Sequence, residues 1–172
     1  MQKNDVIEPS VHLIVFKPFG NTEYGVRIEQ VKEVTITPPI VRMPRTPSYI
    51  MGVANIRGNI IAILDLEELF NIPASSASKA GHTYTLVIEA ESYNVGLLVR
   101  DVPQSVTLPL SHIDRTPGLV ENTGMNSSFI DSIAKLERRM IIVLNIPKIL
   151  NIEVKEGLMV VADEQLTMNS EQ

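Results

Sequence analysis

One stretch of the chain occurs twice. Displaced by 80 positions without a gap, Ser48 to Phe70 lies on Ser128 to Leu150, with Ser48 on Ser128, Ile50 on Ile130, Ala54 on Ala134, Ile61 on Ile141 and Leu64 on Leu144. Conservative pairs fill the positions between: Tyr49 with Phe129, Val53 with Ile133, Ile56 with Leu136, Ile63 with Val143, Leu66 with Ile146. A repeat constrains architecture before any residue is given a role, because equivalent apolar positions must find equivalent environments. The copies part at one place, where Arg57-Gly58 of the first becomes Glu137-Arg138 of the second.

Within the repeat, Met51 to Ile56 reads as a strand, Arg57-Gly58-Asn59 as a tight turn and Ile60 to Leu64 as a buried return strand. Asp65 is placed to cap a short helix through Leu66, Leu69 and Phe70. Upstream, His12 to Phe16 and Tyr24 to Ile28 read as a hairpin around the turn residues Phe19-Gly20-Asn21-Thr22-Glu23. The same pattern restarts at Tyr84 to Ile88 and Asn94 to Val99, displaced by 71. Glu29 to Val34 has valine at i and i+3, which suits a helical turn or the bend into another strand. Thr37-Pro38-Pro39 and Met43 to Pro47 hold four prolines, so they form an extended connection. Ile72 to Gly81 is a small, polar loop between the halves. The change of displacement from 71 to 80 puts nine extra residues between Leu108 and Ser127, where Pro109, Pro117, Gly118 and Gly124 mark a long irregular loop.

Short strands and polar turns in both halves predict an all-β fold of two small barrels. The first spans about residues 12–72 and the second about 83–151, within a single domain at 12–151 and ahead of a tail at 152–172. In the tail, Leu158, Val161, Ala162 and Leu166 have weak helical spacing. Neither half alone buries a large core. The groove between them is therefore expected to be partly apolar, and is the natural seat for a ligand or partner.

Composition narrows the function. There is no cysteine, which removes thiolate catalysis, disulfides and cysteine-ligated metals and suits the cytosol. No apolar run exceeds five residues, so neither a secretory signal nor a membrane span is expected, and the glycosylation match at Asn126-Ser127-Ser128 is discounted. A net charge of -5 without a Lys/Arg run, and four Phe and four Tyr without Trp, argue against nucleic-acid binding.

Catalytic patterns are missing. His12, His82 and His112 are scattered, and only His112-x-Asp114 approaches ligand spacing, so no metal is expected. No phosphate loop and no nucleophile elbow are present. A double barrel in which two aspartates share a proton would need both copies to supply one, but the equivalent positions are Asp65 and Asn145. Asp65 is better placed as a helix cap than as an acid. With no catalytic residue or cofactor site, recognition of protein remains; a small-ligand module or enzyme using the groove is the alternative. Arg57 at a hairpin tip has an ordinary exposed turn residue as its plain reading. The charge reversal at Glu137 favours a functional one, since arginine is enriched at interface hot spots. Val31 and Val34 with Glu33 suit either core and cap or an interface.

Gly52-Val53-Ala54-Asn55-Ile56-Arg57-Gly58, followed by Ile60 to Leu64 and Asp65-Leu66, resembles the signature of the CheW-like family, the adaptor domains of bacterial chemotaxis arrays. Phe16 to Val34 resembles the family's opening strands. Gly96 to Val102, Leu108-Pro109 and Ile113 to Pro117 resemble its second half, and Arg139 to Ile146 with Lys148-Ile149-Leu150 its close. The likeness covers about residues 12–151 and leaves no room for a kinase or response-regulator domain, so it is to the stand-alone adaptor. The sequence departs from the family at Ala62, where proline is common, at Ser132, where glycine is common, and at Tyr84, which is larger than the usual aliphatic residue.

The resemblance implies two SH3-like five-stranded barrels and a non-enzymatic scaffold. Its implied partners are the matching regulatory domain of the histidine kinase CheA and the cytoplasmic hairpin tip of chemoreceptors, the latter lying in the groove between barrels. Carried over by position, receptor-facing residues are Val31, Glu33, Arg57 and Tyr84, while Gly52 and Gly58 hold positions where backbone shape matters. Recruitment to membrane-associated receptor arrays follows from the same resemblance.

Overall fold

In the computed structural model, residues 7–17, 22–71, 81–115 and 127–151 are described. β1 (Ser10–Phe16) alternates outward Ser10 and His12 with inward Val11 and Leu13, the period-two pattern of a half-buried strand. It pairs antiparallel with β2 (Glu23–Arg27), Leu13 opposite Arg27 and Phe16 opposite Tyr24. A 3-10 turn at Ile28–Gln30 leads into β3 (Val31–Ile36), so of the two readings of Glu29 to Val34 the bend into another strand holds, and the valines lie on that strand.

The proline-rich connection meets β4 (Ile50–Ile56) at Val41 and Val53, and turns at Pro44-Arg45 and Ser48-Tyr49, so it is not extended throughout as the prolines suggest. β5 (Asn59–Asp65) returns across the two-residue tip, and α1 (Leu66–Leu69) follows. The second half gives β6 (Tyr84–Glu89), β7 (Asn94–Val99), β8 (Gln104–Pro109), β9 (Ile113–Asp114), β10 (Ile130–Leu136), β11 (Arg139–Leu144) and α2 (Ile146–Ile149). The irregular loop expected from Leu108 therefore starts later: β8, a 3-10 turn at Leu110–His112 and β9 occupy its first part. Residues 116–126, the turn at 18–21, the inter-half loop at 72–80 and the tail at 152–172 lie outside the described residues.

The all-β expectation holds, in two curled sheets. One has the order β8-β1-β2-β11-β10-β9 and the other β3-β6-β7-β5-β4. Their composition corrects the assignment of residues 12–72 to one barrel and 83–151 to the other. The first hairpin, β1-β2, sits among second-half strands, and the second half's β6-β7 sits among first-half strands. The exchange is made through two parallel pairings in equivalent register, Ala62 on Val95 and Ile63 on Gly96 in one sheet, Ile142 on Tyr24 and Val143 on Gly25 in the other. The internal repeat is thus a pseudo-twofold relation between interlocked halves.

Three clusters follow from this topology. Ala54, Ile56, Ile61, Ile63, Val87 and Leu98 fill one sheet's concavity, and Val11, Leu13, Leu108, Ala134, Ile141 and Val143 fill the other's. Between the sheets lies the largest, with Leu64, Leu66 and Leu97 of one sheet's side against Tyr24, Leu144 and Ile149 of the other's. Phe70 joins Tyr24 and Phe129 there, each pair of ring centroids 5.9 Å apart. Each fully buried leucine in it contributes about 2 kcal/mol, so the two interlocked halves share their main source of stability.

Candidate functional site

β3 is an edge strand of the five-stranded sheet and carries the first candidate residues. Its register against β6 slips between Val31 and Glu33. A bulge of this kind leaves one residue unpaired and shifts the facing of those that follow. Val31 lies opposite Ile88, Val34 opposite Leu86 and Ile36 opposite Tyr84, all on the face of the inter-sheet core. Glu33, opposite Val87, points the other way, toward the sheet's own concavity.

Across that concavity stands the β4–β5 tip. Arg57 (φ 52) and Gly58 (φ 85) both take left-handed backbone, as a two-residue loop matched to the strand twist requires. The Asn55 side chain accepts from the Gly58 N–H at 2.9 Å and holds the turn. Arg57 Nε lies 2.9 Å from Glu33 Oε2, joining the tip to β3 at the other edge of the curled sheet. The Arg57 side chain remains 80% exposed and Glu33 21%, so the pair is held at one end and open at the other.

Of the four candidate contacts the structure brings Glu33 and Arg57 together. Val31 and Tyr84 are half-buried against the inter-sheet core, on the opposite face and at opposite ends of the β3–β6 ladder. Between them Val34 and Ile36 are 43% and 59% exposed. From sequence alone Val34 suits core or interface, and Ile36 carries no signal of its own. The signal was the spacing Val31, Val34, Ile36: three then two, which a bulge converts into one apolar face.

The two glycines do different work. A Cβ on Gly52 would sit 2.2 Å from the Val41 carbonyl oxygen, and its φ of 145 is unsuited to a side chain. Gly58 has open space around it and is needed only for the turn. In the second copy Ser132 takes the place of Gly52 at an equivalent bulge, its hydroxyl donating to Asp131 at 2.9 Å.

Charges elsewhere are committed to structure. Asp65 caps α1, accepting from the Glu67 N–H at 2.9 Å, as Asn145 caps α2 through the Lys148 N–H. Arg100 binds Glu67 at 3.1 Å and Asp65 at 3.4 Å. Burial pushes the Asp65 carboxyl above its ordinary value against the pull of Arg100, whereas the hydrogen bond from Arg139 holds Glu23 below its own. Among the described residues no cluster of three or more His, Asp or Glu could hold a metal, and no helix is long and apolar enough to cross a membrane. Two open depressions, about 800 and about 450 Å³, lie at Leu110 to Arg115 with Lys135 and around Glu23, Val102 and Arg139; neither includes Glu33 or Arg57. The Glu33–Arg57 pair therefore stands on an open rim of the five-stranded sheet, outside both depressions.

Comparison with known proteins meets this geometry. The profile of the CheW-like domain matches residues 13–154. The chain belongs to the CheW-like family. The chemotaxis protein CheW of Rhizobium meliloti (strain 1021) is 30% identical over 145 residues, 84% of this chain and 90% of that protein. CheW of Bacillus subtilis (strain 168) is 28% identical over 152 residues, covering 88% and 94%. The crystal structure of the scaffolding protein TtCheW from Thermoanaerobacter tengcongensis superposes with a TM-score of 0.72 at 26% identity, over 89% of this chain and 96% of that one. The two curled sheets are accordingly the SH3-like barrels of this CheW-like chain, which is a non-enzymatic scaffold of chemotaxis.

Proposed function

We propose that the chain couples the cytoplasmic hairpin tips of chemoreceptors to the histidine kinase CheA, binding the kinase through its matching CheW-like regulatory domain. The observation that carries this reading is the Glu33–Arg57 pair beside the apolar edge of β3. A receptor helix would lay its apolar face along Val31, Val34, Ile36 and Tyr84, a helix-in-groove mode. On the other face of the same strand, Glu33 limits the rotamers of Arg57, so its free donors are pre-organised for an acidic group at small entropic loss. Gly52 and Gly58 support the site by backbone shape. Holding kinase and receptor on one rigid body raises their effective concentration and sets their geometry. The protein would act in the cytoplasm, drawn to membrane-associated arrays by its partners, and would use no cofactor.

Co-sedimentation with a receptor cytoplasmic fragment and the kinase tests this. The chain should bring both into one complex and place kinase autophosphorylation under receptor control. A chain that binds neither, or binds both without altering autophosphorylation, would sink the proposal.

A further inference from the structure

The connection between β3 and β4 presents charge that the fold does not use. It is held firmly: Val41 and Val53 exchange two backbone hydrogen bonds of 2.8 and 2.9 Å, Met43 is buried in the inter-sheet core, and the Thr46 hydroxyl donates to the Met43 carbonyl at 3.1 Å. Pro44 and Pro47 stiffen it further. From this base Arg42 and Arg45 are exposed, together with Val41 (64%) and Pro44.

Neither guanidinium has an ion-pair partner among the described residues, whereas Arg27, Arg57, Arg100 and Arg139 each have one. This occurs in a chain with 20 acidic and 15 basic residues. Arg115 and Arg138 are also unpaired there, but on separate elements. Arg45 adds a second observation. Its φ is 62, in the left-handed region that disfavours side chains other than glycine's, and strain of this kind gathers at functional positions. The equivalent of Val41 on the other sheet is Asp114, opposite Ile133 as Val41 is opposite Val53, and there Lys135 neutralises the charge at 2.9 Å.

We infer that Val41, Arg42, Pro44 and Arg45 form a docking site for an acidic segment of a partner protein. Two carboxylates would each accept bidentate hydrogen bonds from one of the two guanidinium forks, and an apolar side chain would meet Val41 and Pro44. Charge complementarity selects the occupant. A net charge of -5 repels extended polyanions, and membrane or nucleic-acid surfaces are held by larger basic clusters than a pair. The site is separate from the Glu33–Arg57 rim, since β4 runs about 13 Å from Val53 to the Arg57 tip, away from Arg42. It does not rest on the receptor-coupling reading.

A labelled hexapeptide of alternating acidic and leucine residues, titrated with the whole chain and followed by fluorescence anisotropy, tests it. Binding is expected, weaker at about 300 mM than at about 50 mM salt. Arg42→Glu with Arg45→Glu should reduce affinity about tenfold, the sum of two exposed ion pairs, with thermal unfolding unchanged. Arg42→Gln with Arg45→Gln should show the same loss and serves if the charge reversal disturbs folding. Absence of binding, or binding indifferent to both double variants, would overturn the inference. So would equal binding to phosphatidylserine vesicles, which would identify a membrane surface instead.

Discussion

The two hairpin tips are the same structure put to different uses. Ile56 faces Asn59 across Arg57-Gly58, and Leu136 faces Arg139 across Glu137-Arg138. Both first turn residues have positive φ, 52 at Arg57 and 31 at Glu137. Below the tips the strands agree in pairing and in bulge and in most buried positions, although Ile130, Leu136 and Ile142 are less buried than Ile50, Ile56 and Ala62. At the tips they diverge: Arg57 reaches Glu33 at 2.9 Å, while the positions equivalent to that pair hold Glu137 and Gln104, with no ion pair. Packing has kept the copies alike because each core position meets the same neighbours. A solvent-facing turn is under no such constraint, so it is free to specialise.

The largest difference between the copies is expected at the bulges. Gly52→Ala places a methyl group against the Val41 carbonyl and should destabilise by about 4 kcal/mol or more, whereas Ser132→Ala loses one hydroxyl hydrogen bond and should lose about 1 kcal/mol. Urea unfolding of the pair distinguishes them; similar losses would show that the connection at Val41 is not the reason for glycine. Next come the cores. Leu64→Ala and Leu144→Ala, both at fully buried and equivalent positions, should each cost about 3 kcal/mol, because each contributes to the shared inter-sheet cluster. A large inequality would mean that one sheet is stable without the other.

A smaller effect separates the helix caps. The raised folded value of Asp65 means that its contribution to stability is fully present below the ordinary carboxylate value and is lost as pH rises through the folded one. Asp65→Asn, which makes the first cap like Asn145, should flatten the slope of stability against pH across that window and change stability at neutral pH by about 1 kcal/mol or less. Glu23 acts oppositely: its contribution is present above its ordinary value and is lost as pH falls through the lowered folded one. An unaltered slope in Asp65→Asn would remove burial as the cause.

Much of this organisation is legible in the sequence, and what is not has physical reasons. The repeat exposes the strands, the turns and the Asp65 cap, because these depend on local apolar spacing and on Gly, Asn and Asp. The exchange of β1-β2 and β6-β7 between sheets is invisible, since the parallel pairings of β5 with β7 and β11 with β2 join segments remote in sequence and leave no local mark. The β3 bulge gives its valines a helical spacing on a strand, which hides Val34 and Ile36 as one exposed edge. Arg57 was legible through its mismatch with Glu137. Family position points to its partner Glu33, but their contact depends on the curl of the sheet.

The smallest effect on stability should accompany the largest effect on coupling, and one measurement joins them. Binding of a receptor cytoplasmic fragment is compared for Arg57→Glu and Glu137→Arg, alongside their thermal unfolding. Exposed ion pairs contribute about 1 kcal/mol or less, so both variants should unfold close to the parent. Arg57→Glu should lose receptor affinity by about tenfold or more, as expected for a hot-spot arginine, while Glu137→Arg retains it. Equal losses from both tips, or a collapse of stability in Arg57→Glu, would contradict the account that one tip has specialised for recognition.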